Sequence, residues 1–216
     1  MLPKTDDRIN IHTECMKIIR KSQAERRAAT RAILMATARR LFAAHGFNDV
    51  SNDRIVLEAG VTRGALYHHF ADKTALFAEV FEEIEGEITV RIEASVSALG
   101  PIDPIAQMRE GVSTWLNICM EPEVHRITIL DAPSVLGLSR WNEIGNKYGL
   151  ALALALLENA GKSNRIHDLP HAPLAQVLLG VLREGATYLA SKGNSSDARR
   201  EVGLVIDHLV NSIGRP

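Results

Sequence analysis

The side chains best suited to chemistry lie scattered along the chain, and few of them converge in sequence. Cys15 and Cys119 are far apart and match no metal or redox spacing. His68 and His69 are adjacent, and neighbours on a helix point about 100° apart, so their rings diverge instead of sharing a metal. His167 and His171 have a better spacing, but Pro170 breaks the helix that would align them. There is no Gly-rich phosphate loop and no nucleophile elbow. The expectation is a protein that is not an enzyme, with no catalytic residue, metal or cofactor. One stretch differs. From Ser51 to Lys73, hydroxyls, cations and histidines alternate with apolar residues at helical spacing around Gly60.

The elements that must position that stretch are helical throughout. Leu34, Ala38, Leu41, Phe42 and His45 share one face from Glu25 onward, and Gly46 supplies a left-handed stop. Ser51 caps a short helix, Asp53 suits its positive first turn, and Ile55, Val56 and Ala59 are its apolar residues. Gly60 ends it, and Thr62 caps a third helix over 63–69 with Leu66 and Phe70 inward. Two short helices joined by a Gly turn read as a helix-turn-helix, whose second helix offers its outer face to a DNA major groove. A long helix starts near Lys73 and runs to about Ala98, before the break at Gly100–Pro104. Further helices follow over 105–119, 124–130, 134–157, 173–190 and 196–213, with loop over 161–170. The predicted fold is all-α: an arm over 1–24, a three-helix helix-turn-helix domain over 25–72, and a larger helical domain over 73–216.

Composition narrows the function classes. The chain of 216 residues is 46% hydrophobic and 24% charged, enough to bury a sizeable core and unlike a disordered chain. The longest apolar run, 149–157, is too short to span a bilayer, and no signal-like segment opens the chain, so no membrane partner is expected. Two cysteines suit a reducing cytoplasm. The net charge of −1 conceals an asymmetry: residues 1–73 carry 13 basic and 8 acidic side chains, residues 74–216 carry 12 and 18. A basic first third on an acidic body points to a segment that meets an anion such as nucleic acid.

The run Phe42-Ala43-Ala44-His45-Gly46-Phe47, then Ile55, then Ala59 through Phe70, Lys73 and Leu76-Phe77, resembles the tetracycline-repressor (TetR) family of bacterial transcription regulators. The resemblance covers about Ala29 to Phe81, with Val50 where the family usually has Thr and Asn52 at a commonly apolar position. It implies DNA contacts at matching positions. Arg63 becomes the base reader, since guanidinium pairs bidentately with guanine O6 and N7. Gly64 lets the helix approach the groove, and Ala65 meets a thymine methyl. Arg54, Thr62, Tyr67 and Lys73 are phosphate candidates, Arg54 also a base candidate, His68 contacts a base or phosphate, and Ser51 is a further DNA-binding candidate.

A single helix-turn-helix reads few base pairs, so specific affinity normally requires two copies on a palindrome. Leu174, Val177, Leu178, Val181 and Leu182, with Leu204, Val205, Leu209 and Ile213, form apolar faces that suit a four-helix bundle across a two-fold axis or the closure of the subunit's own core. The resemblance favours the homodimer. It also implies a pocket in the body for a small-molecule effector, with Met108, Trp115, Cys119, Ile127, Trp141 and Tyr148 as candidates. The reading is a cytoplasmic, ligand-responsive repressor that binds a palindromic double-stranded operator. An activator or a ligand-independent repressor, a helical enzyme or carrier using the body pocket, and a helical interaction module are the alternatives.

Overall fold

The computed structural model describes residues 7–100 and 103–215, with side chains from Ser22 onward. The helices are α1 (Asp7–His45), α2 (Asn52–Ala59), α3 (Arg63–His69), α4 (Lys73–Ala98), α5 (Pro104–Cys119), a single turn α6 (Pro122–Val124), a π-helical segment (His125–Asp131), α7 (Ala132–Lys162), α8 (His171–Ser191) and α9 (Ser196–Ile213). No strand forms among the described residues, where extended pairing is confined to a bridge between Ile166 and Gly214. No described helix is long and apolar enough to cross a membrane.

Local signals set the helix ends near the site. Ser51 Oγ accepts the Arg54 amide at 3.1 Å, Thr62 Oγ1 accepts that of Ala65 at 3.2 Å, and Asp72 Oδ1 accepts that of Ala75 at 2.7 Å. Gly60 takes φ 65°, which a side chain would resist, and turns the chain from α2 toward α3. Three expectations need correction. First, α1 does not start at Glu25 but runs unbroken from Asp7; residues 7–24 contain no Gly or Pro to stop it. The first six residues of the expected arm lie outside the described residues. Second, the expected gap between helices at 130–134 is absent: the π-helical segment passes into α7, whose first turn accommodates Pro133, and the bend comes later, at Gly137 (φ 72°, ψ 157°). Third, α7 continues to Lys162, past the expected loop start at Gly161.

Two apolar clusters hold the chain together. The first joins Leu34, Leu41 and Phe42 of α1, Ile55 of α2, Leu66 of α3 and Phe77 of α4 to Ile127 of the π-helical segment. Its centre is an aromatic triad, with Phe42–Phe77 and Phe47–Phe77 ring centroids 5.3 and 5.2 Å apart in edge-on contact. The second joins α5, α7, α8 and α9 through Leu116, Leu157, Leu189 and Ile206. The expected boundary at 72/73 therefore separates elements rather than cores, because α4 packs into the same cluster as α1 to α3. Arg39 adds a polar tie: its guanidinium donates to Glu87 of α4 at 2.7 Å and to Glu123 of α6 at 2.9 Å.

Candidate nucleic-acid interface and internal cavity

With Leu66 and Phe70 committed to the core, α3 turns Arg63, Gly64, Tyr67 and His68 to solvent, with Ala65 half-buried. Thr62 and Ser51, both exposed, use their oxygens as caps, and each hydroxyl keeps its proton to donate. Arg63 is paired. Its Nε lies 2.7 Å from Asp53 Oδ1 and its Nη2 3.1 Å from Oδ2, with both side chains about two-thirds exposed (63% and 67%). Sequence reasoning saw in Asp53 only a charge suited to the first turn of α2. Here it holds the Arg63 fork, and an ion pair this exposed is worth at most about 1 kcal/mol, so the fork is released at little cost.

Asn52, the departure from the family pattern, donates from Nδ2 to the Tyr67 hydroxyl oxygen at 3.1 Å and so orients the phenol. Val50, the other departure, is fully buried. His68 and His69 meet edge-on at 5.4 Å, and burial lowers the His69 imidazole's affinity for a proton, helped by His68, Arg27 and Arg31.

Two expected phosphate contacts are otherwise engaged. Arg54 Nε donates to Glu58 at 2.9 Å and its Nη2 meets His45 Nε2 at 2.8 Å. Lys73 Nζ donates to the carbonyls of Phe47 at 2.9 Å and Val50 at 2.8 Å and sits 4.0 Å above the Phe47 ring. Burial lowers its pKa. The ammonium thus closes the α1–α2 turn onto α4, with one of three N–H donors left over. Lys73→Met keeps the apolar stem but strands the Val50 carbonyl and leaves that of Phe47 only the Val50 amide at 3.4 Å, and is expected to cost about 1–3 kcal/mol in urea unfolding, with the salt slope of DNA binding unchanged. A slope reduced by ~1 at unchanged stability would mark Lys73 as a phosphate contact instead.

In the body, α4, α5, α7, α8, α9 and the π-helical segment line a cavity of about 140 Å³. Of the expected pocket residues, Met108, Trp115, Cys119 and Trp141 line it. Ile127 and Tyr148 do not: Ile127 is fully buried in the first cluster, and the Tyr148 hydroxyl donates to Glu82 at 3.2 Å. The π-helical segment instead presents Thr128 and Ile129. Sequence reasoning also missed Glu85 and Arg183, the two charged residues on the wall. The available signal was a charge at apolar spacing, Glu85 four residues after Phe81 on α4. Burial pushes the Glu85 carboxyl up to about 7 against the pull of Arg183, and burial also depresses Arg183. Burial likewise raises the Cys119 thiol well above its ordinary value, so it is held as a thiol.

The expected dimer residues divide into two groups. Val177, Leu204 and Val205 are more than 60% exposed and Leu209 is exposed too, an unpartnered apolar surface across α8 and α9. Leu178 and Leu182 line the cavity instead, and Leu174, Val181 and Ile213 are half-buried against the second cluster.

This arrangement has close parallels. The family model for the tetracyclin repressor-like, C-terminal domain matches residues 105–213, and that for bacterial regulatory proteins, tetR family, matches residues 34–80. The HTH-type transcriptional repressor AcnR of Corynebacterium efficiens is 28% identical over 193 residues, 87% of this chain and 94% of AcnR. The HTH-type transcriptional regulator AcrR of Shigella flexneri is 42% identical over 81 residues, 38% of this chain and only 37% of AcrR. The crystal structure of a TetR-family transcriptional regulator from Pectobacterium atrosepticum superposes with a TM-score of 0.78 at 29% identity, over 89% of this chain and 97% of that one. With a capped, outward-facing helix after a Gly turn, a helical body and matches to both parts, this chain belongs to the TetR family of bacterial transcription regulators and is a helix-turn-helix DNA-binding regulator.

Proposed function

We propose that the protein is a cytoplasmic, homodimeric repressor that binds a palindromic operator through α3 and releases it when a small molecule fills the body cavity. The observation that carries the ligand response is the double duty of the π-helical segment. One side of it lines the cavity through Thr128 and Ile129. The other side grips the end of α1: Asp131 Oδ2 accepts the Phe47 amide at 2.8 Å, and Arg126, paired with Asp131 at 3.4 Å, donates to the His45 carbonyl at 3.4 Å. A ligand that shifts this segment shifts residues 45–47, and with them the unit that carries α3. In thermodynamic terms, the effector binds more tightly to the conformer whose two recognition helices no longer match the operator spacing. The exposed apolar surface of α8 and α9 supplies the two-fold contact, and residues 25–72 act as the DNA-reading part of a continuous structure.

Selection from a randomised duplex library at near-physiological salt tests this reading. An enriched palindrome is the expected result, and no enrichment by folded protein would overturn it. On the selected operator, Arg63→Ala is expected to cost about 1–3 kcal/mol and to relax preference at one position per half-site. An equal loss on random DNA would remove Arg63 from base reading.

A further inference from the structure

The cavity wall carries more chemical information than its size. Its volume of about 140 Å³ is close to that of a cavity of ~150 Å³ that holds one benzene. Trp115 and Trp141 are the chain's two tryptophans, and both line it. Among these apolar surfaces sit three polar groups without full partners. No donor among the described residues reaches the Glu85 carboxylate. Arg183 spends two of its five N–H donors on Asn142 and Asn146, both at 2.6 Å, and its guanidinium lies 5.5 Å from the Trp141 ring. Thr128 is 6% exposed and its hydroxyl has no partner.

Glu85 and Arg183 approach each other over Gly145 without forming an ion pair. A methyl on that glycine would lie 3.2 Å from Arg183 Nη2 and 3.9 Å from Glu85 Oε2. The space between them suits one small group that donates on one side and accepts on the other. We propose that the effector is an uncharged molecule, about one aromatic ring in size, whose hydroxyl donates to Glu85 and accepts from Arg183. A carboxylate in that place meets Glu85, an ammonium meets Arg183, and a plain hydrocarbon leaves all three groups unsatisfied. A hydroxyl satisfies both sides at once. This rests on the reading of the cavity as the effector site and specifies its chemistry.

The test is calorimetric titration of the full chain at pH 7.5 with benzene, phenol, benzoate and benzylamine, with tryptophan emission as a second readout. Phenol is expected to bind about tenfold more tightly than benzene, the value of one hydrogen bond to a charged group. Benzoate and benzylamine are expected to bind more weakly than either. Glu85→Leu should bring phenol to the level of benzene while benzene still binds. Should that variant fail to fold, Gly145→Ala, which places a methyl in the gap, should weaken phenol more than benzene. Equal binding of phenol and benzene, or tightest binding by either ion, overturns the hydroxyl proposal and leaves the effector cavity standing. Absence of binding by all four probes overturns both.

Discussion

A chain carrying Leu204→Glu and Val205→Glu is expected to remain folded, to sediment as a monomer, and to lose about 10³-fold in operator affinity, down to its affinity for random DNA. Both side chains are more than 60% exposed, so the substitutions cost the isolated fold little. On a two-fold surface, each glutamate faces its own symmetry mate or a close neighbour, so the apolar contact is replaced by desolvated like charges. The effect on DNA follows because one half-site reader retains only its phosphate contacts and a few base contacts. Analytical ultracentrifugation and operator titration check it. A variant that stays dimeric and binds its operator normally would move the interface away from α8 and α9.

The second large effect concerns Glu85 and pH. Its carboxyl is raised from 4.5 to about 7 in the folded chain by burial. The folded protein therefore holds this proton to higher pH than the unfolded chain does. The stability it contributes is fully present below pH 4.5 and is lost as pH rises through 7, a change of about 3 kcal/mol. Glu85→Gln resembles the protonated form at every pH. Urea unfolding should find the two proteins nearly equally stable at pH 4.5 and the variant more stable by up to about 3 kcal/mol at pH 8. Parallel profiles would show that Glu85 is solvated in the folded state. A carboxylate that weakens the empty fold near neutral pH, and lines its cavity, is what a site retained for binding looks like.

Much of the DNA-reading unit was legible in the order of residues alone. The caps at Ser51 and Thr62 and the turn at Gly60 are local chemistry, made between residues three or four apart, and the structure places them where that chemistry requires. The inward stripe of α4 was equally plain, since an apolar residue every three or four positions has one helical solution. Pairing across long sequence separations was not. Nothing near Lys73 announces that its ammonium turns back to carbonyls 23 and 26 residues earlier. The Arg63–Asp53 pair depends on the angle at which α2 and α3 meet.

The body shows the same division at a finer level. Periodicity tells which side chains point inward, but not whether inward means core or cavity; that depends on how far apart the facing helices stand. Thus Met108, Trp115, Cys119 and Trp141 reach the cavity while Tyr148 turns to Glu82, and Leu178 lines it while Val177, the preceding residue, faces solvent. The π-helical segment spreads its turn over more residues than an α-helix, which rotates Ile127 into the core and brings Thr128 to the cavity wall. Caps, turns and stripes act over a few residues, so an all-helical chain with a capped helix-turn-helix, and its family, can be read from residue order. Which cations stay free for DNA, where Glu85 and Arg183 meet and which apolar faces remain uncovered are settled by the packing of the helices. Those outcomes depend on the spacing and crossing of helices far apart in the chain, which local pattern leaves undetermined.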